Sequence, residues 1–280
     1  MRHFDFEESV LLAHTIGSMQ KKRFYYLIRI QYLGFRYSGW QKQPGQKTVE
    51  EMLIKTLKFI LPNTPLKVLG AGRTDAKVSA LDAAFELFLD DRPIEDINGF
   101  LGLFNQNLPP DIRVTEITQT DKNFNIIQNS KEKEYIYLFS HGEKNHPFCA
   151  PFLANILDEL DIGLMKRAAS LFEGKHDFSV YTARIQENTK SIRTIEHCEI
   201  RPNTVLTANF FPENSYALHV KGQGFMRYQI RMMMGALIQL GRGEHTILDI
   251  ETSLKENNDV QLNYVAPGSG LLLNTLEFME

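Results

Sequence analysis

Leu66-Lys67-Val68-Leu69-Gly70-Ala71-Gly72-Arg73-Thr74-Asp75-Ala76-Lys77-Val78-Ser79-Ala80-Leu81 is the stretch on which the fold turns. An apolar approach through Leu66, Val68 and Leu69 gives way to glycine, and a strand-like run, Val78 to Leu81 and Ala83 to Phe88, follows the polar interval. Gly70 and Gly72 begin like the dinucleotide pattern G-x-G-x-x-G, but Asp75 holds the third glycine position and a strand comes next. No helix N-terminus is offered to a pyrophosphate, so that reading is rejected. What is left is a tight connection between two strands that carries one carboxylate with a guanidinium beside it, as a protein presents an ionised nucleophile. An Asp in a Gly-rich turn also serves as a plain turn residue, and the segment alone leaves both readings open.

Outward from this hairpin the elements fall into a repeating order. Phe24 to Tyr32, rich in aromatic and β-branched residues, is the first convincing strand, so residues 1–20 read as an extension. Gly34 to Pro44, with the single Trp40, is turn-like. Thr48 with Glu51 three residues later predicts a capping box that opens a helix with apolar Met52, Leu53, Leu57, Ile60 and Leu61, stopped by Pro62. A helix is expected from about Ile94 to Phe104 and a strand from Ile112 to Ile117. Strand, helix, two strands, helix, strand is the ferredoxin-like or RRM-like unit. Much the same order recurs: strand Tyr135 to Ser140, helix Leu160 to Phe172, strands Ile192 to Ile200 and Tyr216 to Val220, helix Phe225 to Leu240 capped by Gly241, strand Leu271 to Phe278. The expected fold class is α+β. An extension over residues 1–20 precedes an N-terminal half over 21–120 and a C-terminal half over 121–280, with an extended, mostly antiparallel sheet, helices on one side and a central cleft.

Composition sets the outer bounds. The chain has 280 residues, 43% of them hydrophobic and 23% charged, ordinary values for a globular protein that buries a core. No apolar run approaches the roughly 18 residues that would cross a membrane, and Met1-Arg2-His3-Phe4-Asp5-Phe6-Glu7-Glu8 is acidic where a targeting peptide is basic. A cytoplasmic location is expected. Cys149 and Cys198 fit no metal or disulfide pattern and read as inert buried thiols.

The net charge of −3 speaks against a polyanionic partner until its distribution is read. From Ser9 to Thr74 the only acids are Glu50 and Glu51, against eleven Lys and Arg residues that include Arg36 and Arg73. A second acid-free window between Glu213 and Glu244 holds Lys221, Arg227, Arg231 and Arg242. If the two windows meet in space they form a basic face on an otherwise acidic body, the footprint of a phosphate-backbone binder; scattered solvated lysines are the alternative.

Three further groupings bear on chemistry. Arg227 and Arg231, four apart in a predicted helix, share a face among apolar neighbours and call for an anion, Asp75 or an RNA phosphate; a surface ion pair is the plainer reading. Met232 to Met234 read as core filler. Lys133, Tyr135 and Tyr137 share one strand face, where a ring can stack on an unpaired base, although core packing accounts for either tyrosine. His176-Asp177 suggests a dyad, but adjacent residues point apart and a structural turn is the expectation.

Taken in order, these pieces resemble the TruA-type tRNA pseudouridine synthases. The resemblance rests on Gly72-Arg73-Thr74-Asp75-Ala76 with Val78 and Ala80, on Tyr32, Gly34, Gly39-Trp40-Gln41 and Gln43-Pro44, and on Thr48-Val49-Glu50, Leu108-Pro109, Asp111-Ile112 and Val114. It continues through Lys133-Glu134-Tyr135-Ile136-Tyr137, Gly174, His176-Asp177-Phe178, Arg193-Thr194-Ile195, Gly224-Phe225, Arg231, Gly235, Gly241, Ala266-Pro267 and Gly270-Leu271. It implies that Asp75 is the catalytic carboxylate, that Arg231 pairs with it, that Tyr135 stacks on the target uracil and that Arg73 handles the flipped nucleotide. Lys133, Arg36, Lys77, Arg227 and Leu271 complete the expected substrate contacts. The resemblance also implies a homodimer with tRNA across both subunits, a target in the anticodon stem-loop region, and no cofactor or metal. Departures from the family pattern fall at Leu33, Lys77 and Ser79 and around Arg231, at Arg227, Tyr228, Gln229 and Met232. A non-catalytic RNA-binding module and a carboxylate-dependent nucleosidase are the competing expectations.

Overall fold

The computed structural model describes residues 22–183 and 190–279, and the expected extension over 1–20 lies outside them. Ten strands form one sheet: β1 (Arg23–Tyr32), β2 (Leu66–Gly70), β3 (Ser79–Asp90), β4 (Ile112–Thr120), β5 (Ser130–His141), β6 (Ala154–Ile156), β7 (Gly174–Asp177), β8 (Ile192–Pro202), β9 (Ser215–Gly222) and β10 (Leu271–Phe278). Among the described residues five α-helices accompany them: α1 (Val49–Ile60), α2 (Ile97–Asn107), α3 (Ile162–Ala169), α4 (Gln229–Gly241) and α5 (Ile247–Ser253). The strand order is β4-β1-β3-β10-β5-β9-β8-β7, with β2 added to β3 and β6 to β5. Among these pairings only β10 with β3 and β5 with β6 are parallel. The α+β expectation of a large, mostly antiparallel sheet is met.

Strand alternation decides what each face buries. Tyr26, Ile28 and Ile30 of β1 join Phe85 and Leu87 of β3 against Leu53 and Leu57 of α1 and Phe104 of α2. Tyr137 and Phe139 of β5 join Leu218 and Val220 of β9 against Met165 of α3 and Met233, Met234 and Leu237 of α4. The alternate residues Ile136, Leu138 and Leu272 pack on the reverse side with Cys149, Leu153 and Ala217. Both cysteines are fully buried, and Met232 to Met234 are core.

β10 holds the sheet together. Its Leu272 and Leu273 pair with Ser79 and Ala80 at the start of β3, and its other edge runs antiparallel to β5 from Leu271 against Tyr137 to Phe278 against Ser130. The start of β3, just after Asp75, is thereby fixed beside the strand that carries Tyr135.

Several local expectations are corrected. α2 begins at Ile97 rather than Ile94, because Asp96 caps it by accepting the Gly99 N–H at 2.9 Å, and it runs on to Asn107. Thr48 caps α1 by accepting the Glu51 N–H at 3.4 Å. Glu50 turns back to accept the Lys42 N–H at 2.7 Å and Gln41 Nε2 at 3.0 Å. The Gly39 and Trp40 carbonyls take the N–H groups of Val49 and Glu50, so the open first turn of α1 is closed by the preceding loop. Gly174 to Asp177, expected as a turn, is strand β7 paired with β8, and His176 Nε2 lies 2.7 Å from the Glu173 carbonyl. The helix expected from Phe225 starts only at Gln229, because Tyr228 takes a left-handed conformation at φ 66°. α4 ends at Gly241, and the left-handed turn beyond it belongs to Gly243, not Gly241.

Candidate active site

Asp75 lies in the connection from β2 to β3, and the loop after β1 holds that connection in shape. The Trp40 N–H donates to the Thr74 carbonyl at 3.1 Å, the Lys77 N–H to the Tyr37 carbonyl at 3.0 Å, and Val78 N–H to the Asp75 carbonyl at 3.2 Å. The Tyr32 hydroxyl lies 2.9 Å from Thr74 Oγ1. Two glycines permit this contact. A Cβ at Gly34 would stand 1.9 Å from the Val78 carbonyl oxygen, and Gly39, at φ +96°, would place one 2.7 Å from that of Thr74. Trp40 is buried with its ring against Gly70, as a packed anchor. Ser79 Oγ, at a departure from the family pattern, accepts the Gly34 N–H at 2.9 Å.

Arg231 reaches the carboxylate from the first turn of α4. Its Nη1 is 3.6 Å from Asp75 Oδ2, and both side chains are largely buried, 15% and 19% exposed. Arg231 Nε donates to the Ala266 carbonyl at 2.7 Å, and the Arg231 carbonyl accepts the Ala266 N–H at 3.1 Å. Burial raises the Asp75 carboxyl above its ordinary value, while the positive charges of Arg231 and then Arg227 oppose that rise.

That clamp depends on Gly235, one turn further along α4, where a Cβ would stand 2.0 Å from the Tyr264 carbonyl oxygen. Gly235→Ala gains about 1 kcal/mol of helix propensity but meets a main-chain oxygen that cannot rotate away. The expected result is net destabilisation of roughly 2 kcal/mol, read as a lower denaturant midpoint.

The pair opens into a cleft of about 720 Å³ lined by Ser38, Gln41, Arg73, Asp75, Tyr135, Phe225, Arg227, Gln229 and Leu271 among others. Its wall residues from 38 to 74 belong to the first acid-poor window, which ends just before Asp75, and those from 225 to 230 to the second, so the two basic segments meet here. The Tyr135 ring stands edge-on to Phe225 with centroids 5.3 Å apart. Burial, and secondarily the Asp75 charge, push the Tyr135 hydroxyl up to about 12, so it stays protonated at neutral pH.

The remaining candidates are distributed unevenly. Arg73 and Arg227 are exposed at the cleft, and Leu271 lines it. Arg227 does not share a helical face with Arg231, because it precedes α4; the two guanidinia instead lie over the Tyr228 ring, 5.0 and 4.8 Å from its centroid. Lys133 stands behind the loop, donating to the Ala71 carbonyl at 3.0 Å, with burial pulling its ammonium below the usual lysine value. Arg36 is paired with Asp111 through Nε at 2.7 Å, and Lys77 Nζ lies 5.5 Å over the Phe35 ring; neither lines the cleft. His176 and Asp177 are likewise not among its lining residues. Sequence reading passed over Tyr228 and Gln229 as cleft residues, since nothing local marks a helix that starts four residues late.

These features define a class: an α+β protein with an enclosed carboxylate, held by a guanidinium from a distant helix, in a basic and aromatic cleft. Comparison with known proteins narrows it. The family described as tRNA pseudouridine synthase matches residues 168–278. A protein of Oenococcus oeni named tRNA pseudouridine synthase A is 32% identical over 260 residues, covering 90% of this chain and 97% of that one. Proteins of the same name from Bacillus sp. strain KSM-64 and Dictyoglomus thermophilum are 30% and 28% identical over 254 and 251 residues, with 90% of this chain and 99% and 98% of theirs covered. The chain belongs to the tRNA pseudouridine synthase family.

Proposed function

We propose that this protein isomerises a uridine of tRNA to pseudouridine with Asp75 as the catalytic carboxylate. The observation that carries this reading is the ion pair of Asp75 with Arg231 at 3.6 Å inside a cleft that also presents the Tyr135 ring. In the reaction the bond from N1 to the ribose breaks, the uracil turns, a bond from C5 to the ribose forms, the C5 proton leaves and N1 takes one up. Asp75, attacking the sugar or the base, serves as the nucleophile that frees the uracil, and the walls of the cleft keep the detached base in place. Arg231 holds the carboxylate in its ionised form and in line. The target base must first leave its stack, which costs a few kcal/mol; a flat Tyr135 face and cationic contacts to the flanking phosphates offset that cost.

We assign residues 21–120 as the half that supplies the carboxylate and 121–280 as the half that supplies its guanidinium and the stacking ring. The family resemblance supports a target in the anticodon stem-loop region, a homodimer with tRNA lying across both subunits, and a cytoplasmic location. Among the described residues no helix is long and apolar enough to cross a membrane. Release of tritium from tRNA labelled at C5 of uridine, followed by mapping of pseudouridine in the product, tests the activity. A non-catalytic RNA-binding module releases none, and a nucleosidase yields free uracil.

Arg73 is exposed at the cleft and forms no ion pair among the described residues. Arg73→Gln is therefore expected to weaken tRNA binding about fivefold and to reduce the slope of log affinity against log salt by about one. Filter binding between low and moderate salt reads both; an unchanged slope removes Arg73 from the phosphate contacts.

A further inference from the structure

Gln229 has a side-chain amide that the fold uses only at one end. It is the first residue of α4, 1% exposed, and lines the cleft that holds Asp75. Its Oε1 accepts the Met226 N–H at 2.9 Å. Because an N–H requires an acceptor, this bond fixes which end of the amide is oxygen, and Nε2 is the other end. Among the described residues Nε2 has no hydrogen-bond partner.

A buried donor without an acceptor costs the fold stability, and for one on a residue that lines a cleft a bound molecule is the partner that would satisfy it. The chemistry of the wall indicates what that molecule presents. The guanidinia of Arg73 and Arg227 are exposed at the opening, whereas Gln229 is buried in a wall that also includes Ile230, Tyr135 and Phe225. A neutral donor in such a setting matches a neutral acceptor. Uracil carries two, the carbonyl oxygens at C2 and C4.

Resting on the isomerase reading above, we infer that Gln229 Nε2 donates to a carbonyl oxygen of the extruded uracil, making Gln229 a specificity-determining residue. At C4 the contact also excludes cytosine, whose amino group would set donor against donor. A site built to hydrogen-bond its substrate rejects analogues that leave its buried group unpaired.

Two variants separate this role from a structural one. Gln229→Glu keeps the acceptor for Met226 and deletes the donor; Gln229→Met deletes both without adding charge. Each is assayed with full-length protein by tritium release from tRNA transcripts made with C5-labelled uridine, 4-thiouridine or 2-thiouridine, sulfur being a much weaker acceptor than oxygen. With uridine tRNA, kcat/KM is expected to fall about 10- to 100-fold in both variants. The thio penalty seen with the wild-type protein should disappear in the variants for the contacted position alone, a non-additive cycle. Coupling in the 4-thio arm places the contact at C4, and coupling in the 2-thio arm at C2.

Penalties that simply multiply in both arms overturn the inference, as does an unchanged kcat/KM in Gln229→Met. Collapse of the unfolding midpoint in both variants, the signature of a purely structural amide, overturns it too. A wild-type protein that releases no tritium from uridine tRNA removes the isomerase reading itself, an outcome distinct from the others.

Discussion

Asp75→Asn is expected to abolish C5 tritium release, lowering kcat by more than about 10⁴-fold, while tRNA affinity changes by less than about threefold. The asymmetry follows from the position of the group. Asp75 lies within the cleft with its carboxylate directed at Arg231, so in the proposed reaction it meets the extruded base and contributes little to the phosphate contacts that dominate affinity. Asparagine has the same shape and can still accept from a guanidinium, but it is a poor nucleophile and carries no charge to stabilise a sugar cation. Gel-shift affinity measured beside single-turnover tritium release decides the matter. Measurable turnover in Asp75→Asn takes the carboxylate out of the mechanism, and lost affinity with lost turnover assigns it to binding.

Arg231→Met is expected to cost about 10²- to 10³-fold in kcat and to move the acid limb of the pH profile upward. Burial already lifts the Asp75 carboxyl above the usual carboxylate range, and the Arg231 charge is the largest influence opposing that lift. Without the guanidinium the carboxyl titrates at still higher pH, and activity is lost earlier as pH falls through that value. The same titration has a sign in stability. A carboxyl whose folded value lies above its unfolded one favours the fold while protonated in both states, and that contribution is lost as pH rises from the unfolded to the folded value. The window begins near pH 4 for an ordinary Asp, and in Arg231→Met it extends to higher pH. Denaturant midpoints across the acid range should therefore fall further with rising pH in the variant than in the wild type. An acid limb that does not move separates Arg231 from the ionisation of Asp75.

Lost local order, by contrast, would have little to do with either result. Arg231 is positioned through Ala266 and through the close approach that Gly235 allows, and the Asp75 loop through Trp40, Tyr37 and Tyr32. Main-chain bonds, from the Ala266 N–H to the Arg231 carbonyl and from the Trp40 and Lys77 N–H groups to the Thr74 and Tyr37 carbonyls, carry part of the clamp and survive removal of either charged side chain better than removal of the glycines that let the chains touch.

Much of the fold is legible in the chain because its signals are local. The aromatic and β-branched run along Phe24 to Tyr32 and the apolar run along Tyr135 to Ser140 mark strands, and Thr48 marks the start of α1. The hairpin reading of residues 66 to 88 needs only apolar runs on both sides of glycine. Where local signals conflict with packing, the boundaries move. Asp96 outweighs the apolar pattern that favoured an earlier start for α2. Tyr228 stops a helix that periodicity would begin at Phe225, since its backbone is turned left-handed with its ring beneath two guanidinia.

By itself the sequence determined an α+β chain with one carboxylate on a strand-to-strand turn and two acid-free windows far apart along its length, because alternation, capping and charge are properties of neighbouring residues. Only the tertiary structure decided that these windows face each other, that Arg36, Lys77 and Lys133 lie outside the cleft wall, and that Gln229, in that wall, carries an unmatched buried donor. The reason is that β10, the last strand, inserts between β3 and β5, and no local preference encodes which distant edges one strand will join.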